Sequence, residues 1–166
     1  MAWLEFDLDK EKTTHLSQTY LDPEAIRCLE PEDALLNSVY NLHLEGDLVA
    51  LRDGYDFVGE MSYEIELPCD RCWEPSRKRI EAPIVWHFLD PKTYSAVESR
   101  NDDYSLSSYP LQGRRLIFDE PIHDGIVFSL PQPFLCQEDC EGLSAYCDPT
   151  VTSSPFAALE GLRFEE

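Results

Sequence analysis

The 166-residue chain has no run of 18 or more apolar residues, so no segment could cross a bilayer as a helix. Positive charge is scarce. Thirteen Lys and Arg stand against 33 Asp and Glu, a formal net charge of −20. Nucleic-acid affinity comes largely from Lys and Arg displacing counterions, so this surface repels phosphates and a basic protein is the more natural partner. Plain solubility is the bland alternative, because net charge speaks to association and not to fold. His15, His43, His87 and His123 show no H-E-x-x-H spacing, and no serine sits in a G-x-S-x-G elbow. Zinc-hydrolase and serine-nucleophile chemistry therefore lack support. Dinucleotide-binding glycines, coiled-coil heptads and internal repeats are absent too. The start, MAWLEFDLDKEK, has no basic n-region or apolar h-region and is too acidic for a transit peptide, so the chain is expected to be cytoplasmic, or mature and already imported.

A chain of this length that is 43% hydrophobic fits one domain over residues 1–166 with a real core. Apolar and polar residues alternate from Trp3 to Leu8. The prolines and acids of SQTYLDPEAIRCLEPEDALLNS then suggest short helical turns. From Val39 the period becomes two, and Arg52-Asp53-Gly54 signals a turn. The clearest strand covers residues 56–67, with Phe57, Met61, Tyr63, Ile65 and Leu67 on one face. A second runs from about Lys78 to Leu89 with Ile80, Ala82, Ile84, Trp86 and Phe88 aligned. Residues 90–115 are polar and aperiodic and read as a long mobile loop. Ile117, Ile122, Ile126 and Leu130 could share a helix face, with Asp119 as N-cap and Pro121 in the first turn. SSPFAALEGLRFEE reads as a short helix capped by Ser154. The expected fold is α+β: a β-rich antiparallel sheet or partly open barrel with a helical C-terminal portion.

Six cysteines in a chain with no secretion signal and a full-sized core are not expected to form disulfides. Metal binding or plain burial must explain them. Cys69 and Cys72 form a C-x2-C pair in the connection between the two predicted strands, bracketed by Pro68 and Pro75. Such a pair is half of a tetrahedral site. Cys136 and Cys140, spaced C-x3-C, can supply the other half, with Cys147 as an alternative ligand, making a structural zinc site that adds binding energy to folding. A thioredoxin-like redox pair needs its first cysteine at a helix N-terminus, whereas CDRC runs into Trp73-Glu74-Pro75 and another strand. Cys28 stands alone and reads as a small buried hydrophobe.

One stretch breaks the acidity. Arg71, Arg77, Lys78 and Arg79 lie within nine positions beside Trp73, a cation-plus-aromatic combination usable as a single-stranded RNA platform or partner surface. Neutralisation of neighbouring acids is the simpler alternative.

Three ordered landmarks carry a resemblance: C-D-R-C at 69–72, S-L-P-Q-P-F-L-C at 129–136, and P-F-A-A-L-E-G-L at 155–162. Through them the chain resembles the YceD-like family of large ribosomal RNA subunit accumulation proteins, from about residue 35 onward. Relatives carry Cys or His at the position of Cys136, as a zinc site would tolerate. Many continue with G-L-C-x-x-C-G, where this chain has Ser144 in place of a cysteine and Asp148 in place of a glycine. The resemblance implies a non-enzymatic role in large-subunit biogenesis, supporting 23S rRNA accumulation. In many relatives the gene neighbours that of a small basic ribosomal protein. The expected partner is accordingly a basic large-subunit ribosomal or RNA-processing protein. Direct binding of pre-ribosomal RNA through Arg71, Trp73, Arg77, Lys78 and Arg79 is the alternative, and a thiol redox protein a more distant one.

Overall fold

The computed structural model describes residues 4–8, 14–21, 38–100 and 103–142. Period-two patterning dominates them and folds as strands β1 (Glu5–Asp7), β2 (His15–Tyr20), β3 (Val39–Leu51), β4 (Gly54–Pro68) and β5 (Pro75–Leu89). Helix α1 (Pro91–Glu98), the short helix α2 (Asp103–Leu106), β6 (Ser108–Pro110), β7 (Arg115–Ile117) and helix α3 (Asp119–Ser129) follow. Five strands form one open sheet in the order β2-β3-β4-β5-β6, antiparallel except for the β5–β6 pair. β1 and β7 make a separate two-stranded ribbon. This is the α+β, strand-rich architecture expected, with an unclosed sheet. Among the described residues no helix is long and apolar enough to cross a membrane.

One face of the sheet is packed and the other is solvated, which is why its long strands alternate so cleanly. Phe57, Met61, Tyr63 and Ile65 of β4 and Ile84, Trp86 and Phe88 of β5 are buried on the inner face. Burial of each such side chain is worth about 1.5–3 kcal/mol. Phe118 is their hub: its ring lies 5.2 Å from Phe57, 5.1 Å from Phe88 and 6.0 Å from Trp86, centroid to centroid. Helix α3 lies over this face and buries Ile122 and Ile126. Gly125, a poor helix former, permits the approach, since a Cβ there would meet Met61 Cε at 3.0 Å and Trp86 Cζ2 at 3.1 Å. Tyr63 ties the helix end to the sheet by donating its hydroxyl to the Ile126 carbonyl at 3.1 Å.

Two local features mark the pairing of β3 with β4. A bulge between Tyr40 and His43 leaves Asn41 at φ 50°, a conformation asparagine tolerates better than most residues. Gly46 faces Gly59 across β3 and β4, and a Cβ on Gly59 would sit 2.1 Å from the Glu45 carbonyl oxygen. Only hydrogen fits between the strands there.

Several expectations need correction. Ser17–Tyr20, read as part of short helical turns, belongs to edge strand β2. The stretch 90–115, read as an aperiodic loop, contains α1, α2 and β6. Helix α1 has a local cause, because the Asp90 carboxylate accepts from the Lys92 and Thr93 amides and Pro91 occupies the first turn. Asp119 is no N-cap: it is the first residue of α3, and its Oδ1 accepts the Leu4 N–H at 3.0 Å, joining the helix to the β1 segment. Ile117 lies in β7, so the shared helix face reduces to Ile122 and Ile126. Cys28, Cys147 and the tail helix predicted after Ser154 lie outside the described residues.

Candidate metal centre

The β4–β5 hairpin is paired from Gly54↔Leu89 out to Pro68↔Pro75, leaving residues 69–74 as its tip. Proline ends both strands without losing a needed ladder donor. The Cys69 N–H donates to the Glu74 carbonyl (2.9 Å) and the Trp73 N–H to the Cys69 carbonyl (2.9 Å). Trp73 closes the turn at φ 64°, an unusual position for a bulky residue, with its side chain 72% exposed. The Arg71 N–H points at Cys69 Sγ, 3.4 Å away. The tip thus presents two sulfurs and an amide donor on one side.

After α3 the chain returns over this tip, and the two residues between the cysteines hold it there. The Asp70 N–H donates to the Phe134 carbonyl (2.8 Å), and Asp70 Oδ2 accepts the Phe134 N–H (2.6 Å). Arg71 Nη1 donates to the Cys140 carbonyl at 3.1 Å. Gly142, at φ 71°, packs so closely that a Cβ would lie 3.3 Å from the Arg71 carbonyl oxygen. Cys69, Cys72, Cys136 and Cys140 are thereby brought together, with their sulfurs all within 4.8 Å of one another.

Two close approaches cross between the segments: Cys69 to Cys140 at 3.8 Å and Cys72 to Cys136 at 3.7 Å. A disulfide requires about 2.05 Å, and all four are free thiols. Sulfurs placed tetrahedrally about an ion at about 2.3 Å stand about 3.8 Å apart, which these pairs match. Cys69 and Cys140 are buried and Cys72 and Cys136 half-buried. A cleft of about 370 Å³ lined by Cys72, Cys136, Cys140 and Gln137 gives an ion a way in. The four cysteines can hold one metal ion.

Thiol acidity is uneven across the cluster. Burial pushes Cys69 up, but the backbone N–H groups of Cys136, Cys72 and Arg71 and the Cys72 side chain outweigh it and bring that thiol down to about 6. Cys136 is pushed up to about 12 by burial and by the Cys140, Cys72 and Cys69 side chains around it. For Cys72 the Glu74 amide pulls downward, yet burial and the Cys69 and Cys140 thiols leave it raised. One sulfur carries charge readily. Cys72 and Cys136 keep their protons until a cation replaces them.

The basic residues do not form one patch. Arg77 and Arg79 point to the outer face of β5, where Arg77 pairs with Glu64 (2.6 Å) and Arg79 with Glu81 (2.8 Å). Arg77 also lies over the Tyr40 ring at 4.4 Å. Lys78 points to the opposite face, its Nζ 5.4 Å from the Phe134 ring centre. Arg71 is engaged at the cysteine cluster, beside the exposed Trp73. Sequence reasoning missed the part played by Asp70, although an aspartate inside a tight turn is a ready acceptor for backbone N–H groups.

The fold and the cluster define a β-rich α+β domain whose hairpin tip can be pinned by a metal ion. A family model described as large ribosomal RNA subunit accumulation protein YceD matches residues 57–163, a span that includes all four clustered cysteines, and the chain belongs to that family. The description places the family in the accumulation of large-subunit ribosomal RNA. No curated protein and no solved structure matches the chain.

Proposed function

We propose that the protein is a non-catalytic factor in large ribosomal subunit biogenesis, in which a structural zinc ion fixes the end of the β4–β5 hairpin. The convergence of Cys69, Cys72, Cys136 and Cys140 carries the metal part of this reading. A four-sulfur tetrahedral donor set suits zinc, or iron as the other common occupant. Zinc held by four thiolates has no open position for substrate, so the ion would supply rigidity and binding energy to folding rather than chemistry. CDRC leads into β5 and not into a helix, which argues against a redox pair.

The role in 23S rRNA accumulation is best served by holding a basic ribosomal or RNA-processing protein, because a net charge of −20 attracts such a partner and repels RNA. Direct rRNA binding has the exposed Trp73 in its favour and the division of the cations over two faces against it. The whole chain is read as a single domain acting in the cytoplasm.

Two measurements test the reading. Native mass spectrometry with elemental analysis should find one zinc per chain, and a ratio near zero would remove the metal. Purified basic large-subunit proteins should bind in a salt-sensitive way at moderate ionic strength; no binding, or binding indifferent to salt, would end the partner hypothesis.

A further inference from the structure

β6 pairs only with the last residues of β5, from His87↔Ser108 to Leu89↔Pro110. Among the described residues, β5 from Pro75 to Trp86 has no neighbour on the side away from β4. The His87 N–H donates outward to the Ser107 carbonyl at 2.8 Å. In an antiparallel ladder successive residues aim their backbone groups alternately to the two sides. Arg77, Arg79, Glu81 and Val85 therefore aim N–H and C=O outward, and Pro83 its carbonyl alone.

A groove of about 310 Å³ runs beside this edge, lined by Ala82, Trp86, Leu106, Gly125 and Phe128. Two large apolar side chains stand open there, Phe128 at 68% and Leu106 at 54% exposure. Beyond the other side of the edge lie outer-face carboxylates. Glu81, which Arg79 already pairs at 2.8 Å, is on β5 itself, and Glu60 and Glu66 on β4 have no ion-pair partner among the described residues. Arg77 and Arg79 share this face, so the stretch open to a cation is the one around Glu81 and Pro83, with Glu60 behind it. An unpaired backbone edge selects an extended polypeptide, an apolar groove selects a hydrophobic anchor, and the carboxylates select Lys and Arg.

We propose that the free edge of β5 takes up an extended segment of a basic partner protein as an added strand. Alternate residues of that strand face the groove, where one apolar side chain seats against Phe128 and Leu106. The residues between them face outward and place Lys or Arg near Glu81 and, two strand spacings or roughly 10 Å away, Glu60. A second copy of this chain fits poorly. Pairing two β5 edges about Glu81 sets carboxylate against carboxylate, about Arg79 guanidinium against guanidinium, and about Pro83 leaves no donor at the centre. The proposal rests on the reading of a basic protein partner and gives that partner a surface.

The test uses the full-length, metal-loaded protein and a twelve-residue peptide alternating lysine with valine, followed by NMR and amide hydrogen exchange. Binding should slow exchange at Arg77, Arg79, Glu81 and Val85, whereas the even-numbered β5 amides are already protected by β4. Phe128→Ser, a change at an exposed side chain, should weaken the peptide at least tenfold, and Glu81→Pro, which deletes one outward donor, should do the same. The same peptide with glutamate for lysine should bind at least tenfold more weakly. Protection of other segments, or Phe128→Ser and Glu81→Pro both without effect, would overturn the strand-addition site while leaving the basic-partner reading to its own assay. So would odd-residue protection that grows with protein concentration alone, or that a twelve-nucleotide RNA produces.

Discussion

Acidifying the protein loaded with zinc from about pH 7.5 to about pH 6 should lower its metal affinity at least a thousandfold, because protons and zinc compete for the same sulfurs. Cys136, held up to about 12, and Cys72, held above the ordinary thiol value, both carry protons throughout this window. Each must lose its proton when the ion binds. Release of two protons makes the association constant fall about a hundredfold per pH unit, hence three decades over about 1.5 units. Near pH 6 the Cys69 thiolate begins to protonate as well, and the slope steepens further. The sign is fixed by the direction of the shifts. Raised thiol values make zinc binding improve as pH rises, and no reversal is expected before metal hydroxide competes. A chromophoric chelator of known affinity, titrated against the protein at several pH values, reads the constant directly. A slope of log K against pH below one across the window would refute the reasoning, since it would mean that these sulfurs are not the ligands or already stand as thiolates.

Three further outcomes follow from the packing. Gly59→Ala should destabilise the fold by about 2–3 kcal/mol in urea titrations, because the new methyl meets backbone at Glu45 and Gly46 rather than a side chain that can turn away; a change under about 0.5 kcal/mol would show that β3 shifts freely. Phe118→Ala removes a buried ring that touches three others and should cost about 3–5 kcal/mol by the same assay. Reversing Arg77, Lys78 and Arg79 to Glu should strengthen binding of basic large-subunit proteins at least twofold, since Arg77 and Arg79 stand on the outer face of the β5 edge and their replacement adds carboxylates there. Loss of rRNA crosslinks in that variant, with protein binding no stronger, would favour the RNA platform instead.

The parts of the fold visible in the sequence are those where one face is buried and the other wet. β4 and β5 satisfy that condition along their length, so Phe57, Met61, Tyr63 and Ile65 were aligned by period alone. The four-cysteine cluster was legible from spacing and from the position of CDRC between two strands. β2 was not, because only Leu16 of its six residues is buried, and an edge strand with one buried side chain carries no alternation. Asp119 shows a different limit: its side chain is used by a backbone amide 115 residues away, and no local pattern announces such a contact. The basic run divides as its simpler reading had it for Arg77 and Arg79, which pair with Glu64 and Glu81, whereas the RNA-platform alternative treated all four cations as one cluster. Strand alternation, applied to the predicted β5, would already have separated Lys78 from Arg77 and Arg79.

The separation of Cys69 from Cys140 has a consequence for synthesis. The two halves of the centre lie 71 residues apart, a distance a ribosome covers in roughly 4–14 s. Throughout that interval Cys69 and Cys72 exist without their counterparts, and a two-sulfur fragment holds an ion weakly and offers its thiols to oxidants. All four sulfurs meet only when the segment after α3 lies over the tip of the β4–β5 hairpin. An ion that needs four sulfurs would therefore be captured late, and a filled site would mark a chain whose two distant segments have met.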